Sequence, residues 1–287
     1  MSRNIRVKKP DWLKVRFPTG KNYLRLKKTM RQLNLHTVCE EAKCPNVAEC
    51  WGQGTATFMI LGDICTRSCG FCAVKTGLPQ QLDLDEPRRI ADAVEAMDLK
   101  HAVITSVNRD ELPDGGASVF ARTIEAVRER MPQTSIEVLI PDFKGSHASL
   151  QRILAANPEI LNHNIETIPR LYKQVRPGAS YQQSVELLRR SKLEAPEVLS
   201  KTGIMLGLGE GLDEVIEVMQ TLVNQASVDI LTLGQYLQPT VNHLPVRRFV
   251  HPDEFKTLAS RGLELGFRHV EAGPLVRSSY HAANQVP

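Results

Sequence analysis

No cysteine follows Cys72. All six, at 39, 44, 50, 65, 69 and 72, lie in one short stretch, and the last 215 residues hold none. Cytosolic chains rarely use structural disulfides, so such a clustered set reads as metal ligation or redox chemistry. Long hydrophobic runs are missing too: none approaches the roughly 18–20 residues that a bilayer-spanning helix needs. The first ten residues carry no apolar core of a secretory signal, so the expectation is a soluble protein of the cytoplasm, without a membrane partner. Internal repeats and low-complexity tracts are absent, as are a P-loop and a Ser/His/Asp hydrolase motif. His163, His243 and His251 have no partner at metal-ligand spacing and read as core or surface histidines. Acid is scarce at one end: in residues 1–31 eleven Lys and Arg stand against Asp11 alone. That segment nets +10, leaving −6 on the rest of a chain whose total is +4. Such an arm suits an acidic protein, nucleic acid or only water. Its interleaved apolar residues, among them Trp12, Leu13, Phe17 and Leu24, suggest a segment strapped onto the domain.

What the 287 residues do contain is an alternation. Apolar, strand-like runs at 57–61, 101–107, 136–141, 160–164, 202–208 and 229–233, with a last near 269–271, are separated by amphipathic stretches. Ile90, Val94 and Met97 recur at helical spacing, as do Phe120, Ile124 and Val127, then Val215, Met219 and Leu222. A strand followed by a helix about six times is the pattern of parallel βα units. The runs look apolar on both faces, as in a sheet covered on both sides. Polar residues cluster just past the strand ends, where barrel active sites are built, so the pattern predicts an α/β partial (β/α)6 barrel of the TIM type. The expected division is an extension at 1–54 carrying three cysteines, the barrel at 55–272, and a short tail at 273–287.

Cys65-Thr-Arg-Ser-Cys69-Gly-Phe-Cys72 directly follows the first strand. Three thiolates supply three irons of a four-iron cluster and leave the fourth iron without a protein ligand. A structural site is normally closed, whereas an open position binds a substrate or cofactor. S-adenosylmethionine can chelate there through its amino and carboxylate groups, and an electron from the cluster then cleaves its C–S bond to give a 5′-deoxyadenosyl radical. Gly70 lets the loop wrap tightly and Phe71 can pack beside the adenine. Zinc is the bland alternative, but zinc ribbons pair two short C-x2-C elements, which this spacing does not. The residues resemble the radical S-adenosylmethionine superfamily.

The second group, Cys39-Glu-Glu-Ala-Lys-Cys44-Pro-Asn-Val-Ala-Glu-Cys50, offers three more thiolates. A redox relay, a structural zinc site and a sacrificial sulfur source all fit that spacing. A fourth ligand must be a serine, a histidine, a carboxylate or the substrate, since no seventh cysteine exists.

Together the two arrays resemble the lipoyl synthase family. Supporting segments lie at 9–13, 39–46, 57–72, 105–116, 162–167, 176–179 and 277–280, and no cluster-binding position departs from the family pattern. The C-x4-C-x5-C array discriminates, because most radical enzymes with the shared triad lack it. The resemblance implies two [4Fe-4S] clusters and S-adenosylmethionine. It also implies that a serine of Arg277-Ser-Ser-Tyr280 completes the auxiliary set Cys39, Cys44 and Cys50, with Ser278 the choice and Ser279 the alternative. Without it, a serine capping a terminal turn would be the reading. The implied reaction is a sulfurtransferase activity, inserting sulfur at C6 and C8 of an octanoyl chain amide-linked to a carrier lysine. The auxiliary cluster would be consumed as sulfur donor, with two molecules of S-adenosylmethionine spent per product. Implied partners are octanoylated lipoyl domains of 2-oxoacid dehydrogenase acyltransferase subunits, the glycine-cleavage H protein, and an electron donor such as flavodoxin or ferredoxin. Rival readings are another sulfur-inserting radical enzyme acting on a small molecule or RNA base, and a zinc-stabilised nucleic-acid-binding module.

Other candidates are weaker. Asn162, Asn164 and Glu166 alternate at a strand end, where Asn164 and Glu166 could meet ribose hydroxyls or the methionyl amine, or else form a buried supporting network. Arg176 suits the methionyl carboxylate or a surface salt bridge. Asp110, Asp114, Gly115 and Gly116 form either an amine-binding loop or an ordinary turn. The glycines of 202–211 have the wrong spacing for a dinucleotide fingerprint and read as backbone lining S-adenosylmethionine, before a helix that Asp213 could cap.

Overall fold

Every apolar run becomes a strand, and the strands line up in chain order. The computed structural model describes residues 9–14, 21–33, 35–37, 44, 46–52, 55–79 and 81–285. Helix α1 (Lys21–Gln32), the short β1 (His36–Thr37) and α2 (Val47–Gly52) precede the first long strand, β2 (Thr55–Ile60). A loop closed at its base by β3 (Ile64–Cys65) and β4 (Lys75–Thr76) follows, then α3 (Glu86–Met97) and β5 (His101–Ser106). The series continues through α4 (Ala117–Arg130), β6 (Ser135–Leu139), α5 (His147–Ala155) and β7 (Ile160–Asn162). Next come α6 (Tyr172–Val175), α7 (Tyr181–Glu194), β8 (Leu199–Leu206), α8 (Leu212–Ala226), β9 (Ile230–Gln235), α9 (Pro252–Leu265) and β10 (His269–Gly273).

The sheet order is β1-β2-β5-β6-β7-β8-β9-β10, parallel from β2 to β10 with β1 antiparallel at the edge. No β10–β1 pairing closes the ring among the described residues. Register shows that the two faces differ. Ala56, Phe58, Ile104, Ile136, Val138 and Leu161 share the outer face and pack under the helices. A second cluster packs α6–α9 against β8 and β9. The inner face is mixed instead: His101, Glu137, Asn162, Lys201, Thr232 and Glu271 share it with Val103, Leu139 and the small apolar cluster of Ile160, Leu199 and Ile230. The strands are therefore not apolar on both faces, as their composition suggested; alternation places the polar half inside the curve.

Two buried charges lie in that interior. Lys201 Nζ meets Glu137 Oε2 at 2.8 Å with neither side chain exposed, and Asn162 Nδ2 donates to Glu137 Oε1 at 2.8 Å. Burial would raise the Glu137 carboxyl, but the Lys201 ammonium and His101 hold it down at about 2. Such a pair is costly to break, since either partner alone would be a buried charge.

The tail completes the interior. Gly234 faces inward, and a Cβ there would meet Val276 O at 2.2 Å, so the chain after β10 turns back along the inner face. It ends in a 3-10 turn, Ala282–Gln285, packed against β5, while Asn284 and Gln285 line a cavity with Leu199, Ile230 and His269 at the strand starts. One short segment that reaches β5 on one side and β8–β10 on the other requires a sheet curled around it.

Candidate active site

The Cys65–Cys72 loop leaves β2 at its C-terminal end and is pinned by backbone bonds from three directions. Thr66 N donates to Asn108 O at 3.0 Å, Gly70 N to Val175 O at 2.9 Å, and Leu244 N to Gly70 O at 3.0 Å. Only glycine fits at 70, because a Cβ would lie 2.9 Å from Leu244 Cγ and 3.2 Å from Gln174 O. His243 Nε2 sits 2.9 Å from the Cys72 carbonyl oxygen. Two amides, Arg67 N and Asn108 N, donate to Cys65 Sγ at 3.4 and 3.3 Å. Burial pushes the Cys69 thiol up to about 11; Arg176 opposes this, while charge on Cys72, Glu166 and Cys65 adds to it. Burial likewise raises Cys72. The three thiols thus share one electrostatic neighbourhood. Among the described residues no three His, Cys, Asp or Glu side chains converge as ligands of a single ion. What the loop offers is a donor set: three thiols on one short segment, the ligands that three irons of a four-iron cluster take.

Asn164, Glu166 and Arg176 lie just past β7. Glu166 holds a left-handed φ of +70°, pinned by its N–H to Gly203 O at 2.8 Å and by Met205 N on its carbonyl at 2.9 Å. A non-glycine residue there stores strain that the β8 bridge holds in place. Burial raises its carboxyl, against Arg176 and an Asn164 hydrogen bond of 3.0 Å. Arg176 Nη1 donates to Asn164 O at 2.8 Å and to Tyr172 Oη at 2.7 Å. Asn164 Oδ1 is buried without a partner, an acceptor suited to an ammonium or hydroxyl donor. Phe71 packs against the core cluster of the second half of the barrel. Asn162 is turned inward to Glu137 and belongs to the supporting network.

Of the second cysteine group, Cys39 lies outside the described residues. Cys44 and Cys50 are half-buried around α2, and Cys50 lines a cavity of about 250 Å³ with Thr55, His281, Ala283 and Asn284. The tail meets this segment through Asn46 Nδ2, which donates to Leu275 O at 2.6 Å, and through Tyr280 Oη, 3.2 Å from both Glu49 oxygens. Burial raises the Cys44 thiol, opposed by an Asn46 N–H and by the half-buried Arg277. A cation beside that thiol suits an anionic cluster. Ser278 Oγ accepts from Asn164 Nδ2 at 2.7 Å, so the tail links the second group to the residues beside the first. Ser279 O accepts from Ala282 N at 3.4 Å within the final turn.

Several candidates resolve into scaffold. Asp114 accepts from Gly116 N and Ser118 N at the start of α4, and Asp110 is bound by Arg67. The amides of Gly207 and Leu208 are taken by the Glu210 carboxylate, and α8 is capped by Gly211 with Glu214 rather than by Asp213. His163 is buried between Ile140 O and Ser184 Oγ, and His251 caps α9. Arg67, Asn108 and His243 were missed as residues holding the loop. Only Arg67, a charge inside the motif, gave a sequence signal.

A family model for the radical SAM superfamily matches residues 59–222, and one for the N-terminal domain of lipoyl synthase of the radical SAM family matches residues 1–44. A lipoyl synthase of Rubrobacter xylanophilus is 61% identical over 277 residues, covering 96% of this chain and 86% of that one. One of Halalkalibacterium halodurans is 59% identical over 281 residues, covering 98% and 92%. Among solved structures, methylornithine synthase superposes with a TM-score of 0.56 at 14% identity, covering 89% of this chain and 79% of that one, a likeness of fold.

Proposed function

The chain belongs to the lipoyl synthase family of radical S-adenosylmethionine enzymes, and from that premise we propose how its residues insert sulfur at C6 and C8 of a protein-bound octanoyl-lysine. Cys65, Cys69 and Cys72 hold the cluster that binds S-adenosylmethionine; Cys39, Cys44, Cys50 and Ser278 hold the auxiliary cluster. When bound, these groups supply a 5′-deoxyadenosyl radical able to take hydrogen from unactivated carbon, and the sulfur that replaces it.

The protein's part is orientation. Asn164 Oδ1, buried without a partner, would accept from the methionyl ammonium; Arg176, held by Asn164 O, would meet the methionyl carboxylate, and Glu166 would accept from a donor on the same ligand. Phe71 shields the adenine side of the loop. Ser278 Oγ takes one hydrogen bond from Asn164 and keeps a second lone pair for iron. The tail lies along the inner face, close against Gly234.

Octanoylated carrier protein is the substrate. The finer reading is lipoyl domains of 2-oxoacid dehydrogenase complexes and the glycine-cleavage H protein, with flavodoxin or ferredoxin as reductant, in the cytoplasm and without nucleic acid. Among the described residues, no helix is long and apolar enough to cross a membrane.

The observation that supports the site reading is the Ser278–Asn164 hydrogen bond, which ties the tail that also meets Asn46 and Glu49 to the residues just past β7. Iron and sulfide content of anaerobically purified protein tests it. Roughly eight irons, falling to roughly four in a Cys39→Ala/Cys44→Ala/Cys50→Ala variant, is the expected result. Little iron with stoichiometric zinc would overturn it.

A further inference from the structure

Arg67 sits inside the cysteine loop with 7% of its side chain exposed, and its guanidinium forks between two strand ends. Nε and Nη2 donate to Asp110 at 2.6 and 2.9 Å, just past β5. Nη1 and Nη2 donate to Asp142 at 2.8 and 2.7 Å, just past β6. The stem is held as well: a Cβ on Gly178 would lie 3.3 Å from Arg67 Cδ. One side chain therefore ties the loop to two neighbouring strands.

The same clamp aligns two peptide segments. Thr66 N and Thr66 Oγ1 both donate to Asn108 O, at 3.0 and 3.1 Å, and Asp110 N donates back to Thr66 Oγ1 at 3.1 Å. The amides of Arg67 and Asn108 consequently converge on Cys65 Sγ. Each N–H on a ligand sulfur stabilises negative charge there. Because the reduced cluster carries one more electron than the oxidised one, such bonds favour reduction.

We propose that Arg67 is a positioning residue that raises the reduction potential of the cluster held by Cys65, Cys69 and Cys72, by keeping two backbone N–H donors on the Cys65 sulfur. The proposal rests on the reading of those cysteines as cluster ligands. It is distinct from a simple charge effect. One guanidinium between two carboxylates is a net negative group, so its field alone opposes reduction, and removing a carboxylate would relieve that opposition. Loss of the clamp does the reverse.

The test uses the full chain carrying Cys39→Ala/Cys44→Ala/Cys50→Ala, so that only the first cluster contributes. Iron is counted, and the midpoint is read by electron paramagnetic resonance during titration with dithionite. In this parent, about four irons are expected. Arg67→Lys keeps the charge and loses the fork; Asp142→Asn keeps the shape and loses a negative charge. Both are expected to hold the parent's iron and to shift the midpoint to more negative potential. An unchanged midpoint in Arg67→Lys, or a positive shift in Asp142→Asn, overturns the proposal in favour of a scaffold or charge role. Should either variant lose its iron, Asp110→Asn decides alone, since its carboxylate is 23% exposed and its change weakens the half of the fork that ties Arg67 to the segment carrying Asn108. A negative shift there supports the proposal and any other result refutes it. A parent without iron would sink the ligand reading itself, an outcome separable from all the others.

Discussion

The two cysteine groups are built in opposite ways. Cys65, Cys69 and Cys72 lie within one short segment, and the bonds that frame it come from within the barrel: from Asn108 past β5, from Val175 at the end of α6, and from His243 and Leu244. Cys44 and Cys50 precede the barrel, and the bonds that cover them come from a tail about 230 residues further along: Asn46 to Leu275, Glu49 to Tyr280. The first set sits on a rigid scaffold, as suits a group used at each turnover. The second is covered by a strap from outside the sheet, which on the proposed reading would lie over the cluster that gives up its sulfur. The difference teaches that one barrel can carry two cysteine sites, one framed by its own loops and one closed by a distant segment.

Separating the two sets by mutation has the largest effect. Cys69→Ala is expected to abolish 5′-deoxyadenosine formation and sulfur insertion together, with loss of about four irons. Cys50→Ala is expected to lose a similar amount of iron and all insertion, yet to keep reductive cleavage of S-adenosylmethionine. Liquid chromatography of the nucleoside product beside the carrier assay reads both. Equal loss of cleavage in the two variants would break the comparison.

The scaffold under the first group is probed next. Glu137→Gln leaves Lys201 buried and unpaired at a cost of about 3–5 kcal/mol, read as a lowered unfolding temperature. Because the folded Glu137 carboxyl is depressed to about 2, its stabilisation is complete above the ordinary carboxylate range near 4.5 and is lost as pH falls from there toward 2. The variant's acid-unfolding curve should be flatter across that window. The strap is weaker: Asn46→Ala removes one hydrogen bond to the Leu275 carbonyl and should cost about 1–3 kcal/mol of tail docking. Faster protease cleavage after residue 273 and loss of auxiliary iron alone are the expected readouts. Loss of iron from both groups would show that the tail also supports the first.

The same contrast decides what could be read from sequence. The Cys65 loop was legible because its ligands are local and its strand was an apolar run: 57–61 was expected and Thr55–Ile60 is observed. Strand order followed from the βα alternation. Which half of each strand faces inward was not legible, because Glu137, Asn162 and Lys201 meet only once register and curvature bring three strands together. The resemblance named Ser278 as a ligand, while the tail's contacts to Asn46 and Glu49 join residues about 230 positions apart. Its course along Gly234 and down the inner face depends on contacts that no local pattern encodes. Asp110 looked like a ligand-binding acid because its partner, Arg67, lies 43 residues away.

The smallest effect concerns the basic arm, which belongs to neither cysteine group and so should alter encounter with the carrier without altering either cluster. Lys9 and Lys28 are exposed, Lys27 is half-buried, and Lys8 lies outside the described residues. If the arm steers an acidic carrier domain, replacing all four by glutamine removes roughly 0.3 kcal/mol per charge. Together that is about sevenfold in KM for the octanoylated carrier. Steering also predicts that the wild-type KM rises with salt while the variant's barely moves, since added ions screen only charges still present. Iron content and kcat should stay at their wild-type values. An unchanged KM with unchanged salt dependence would mean that the eleven basic residues of that segment serve solubility or packing, and that carrier recognition lies elsewhere on the barrel.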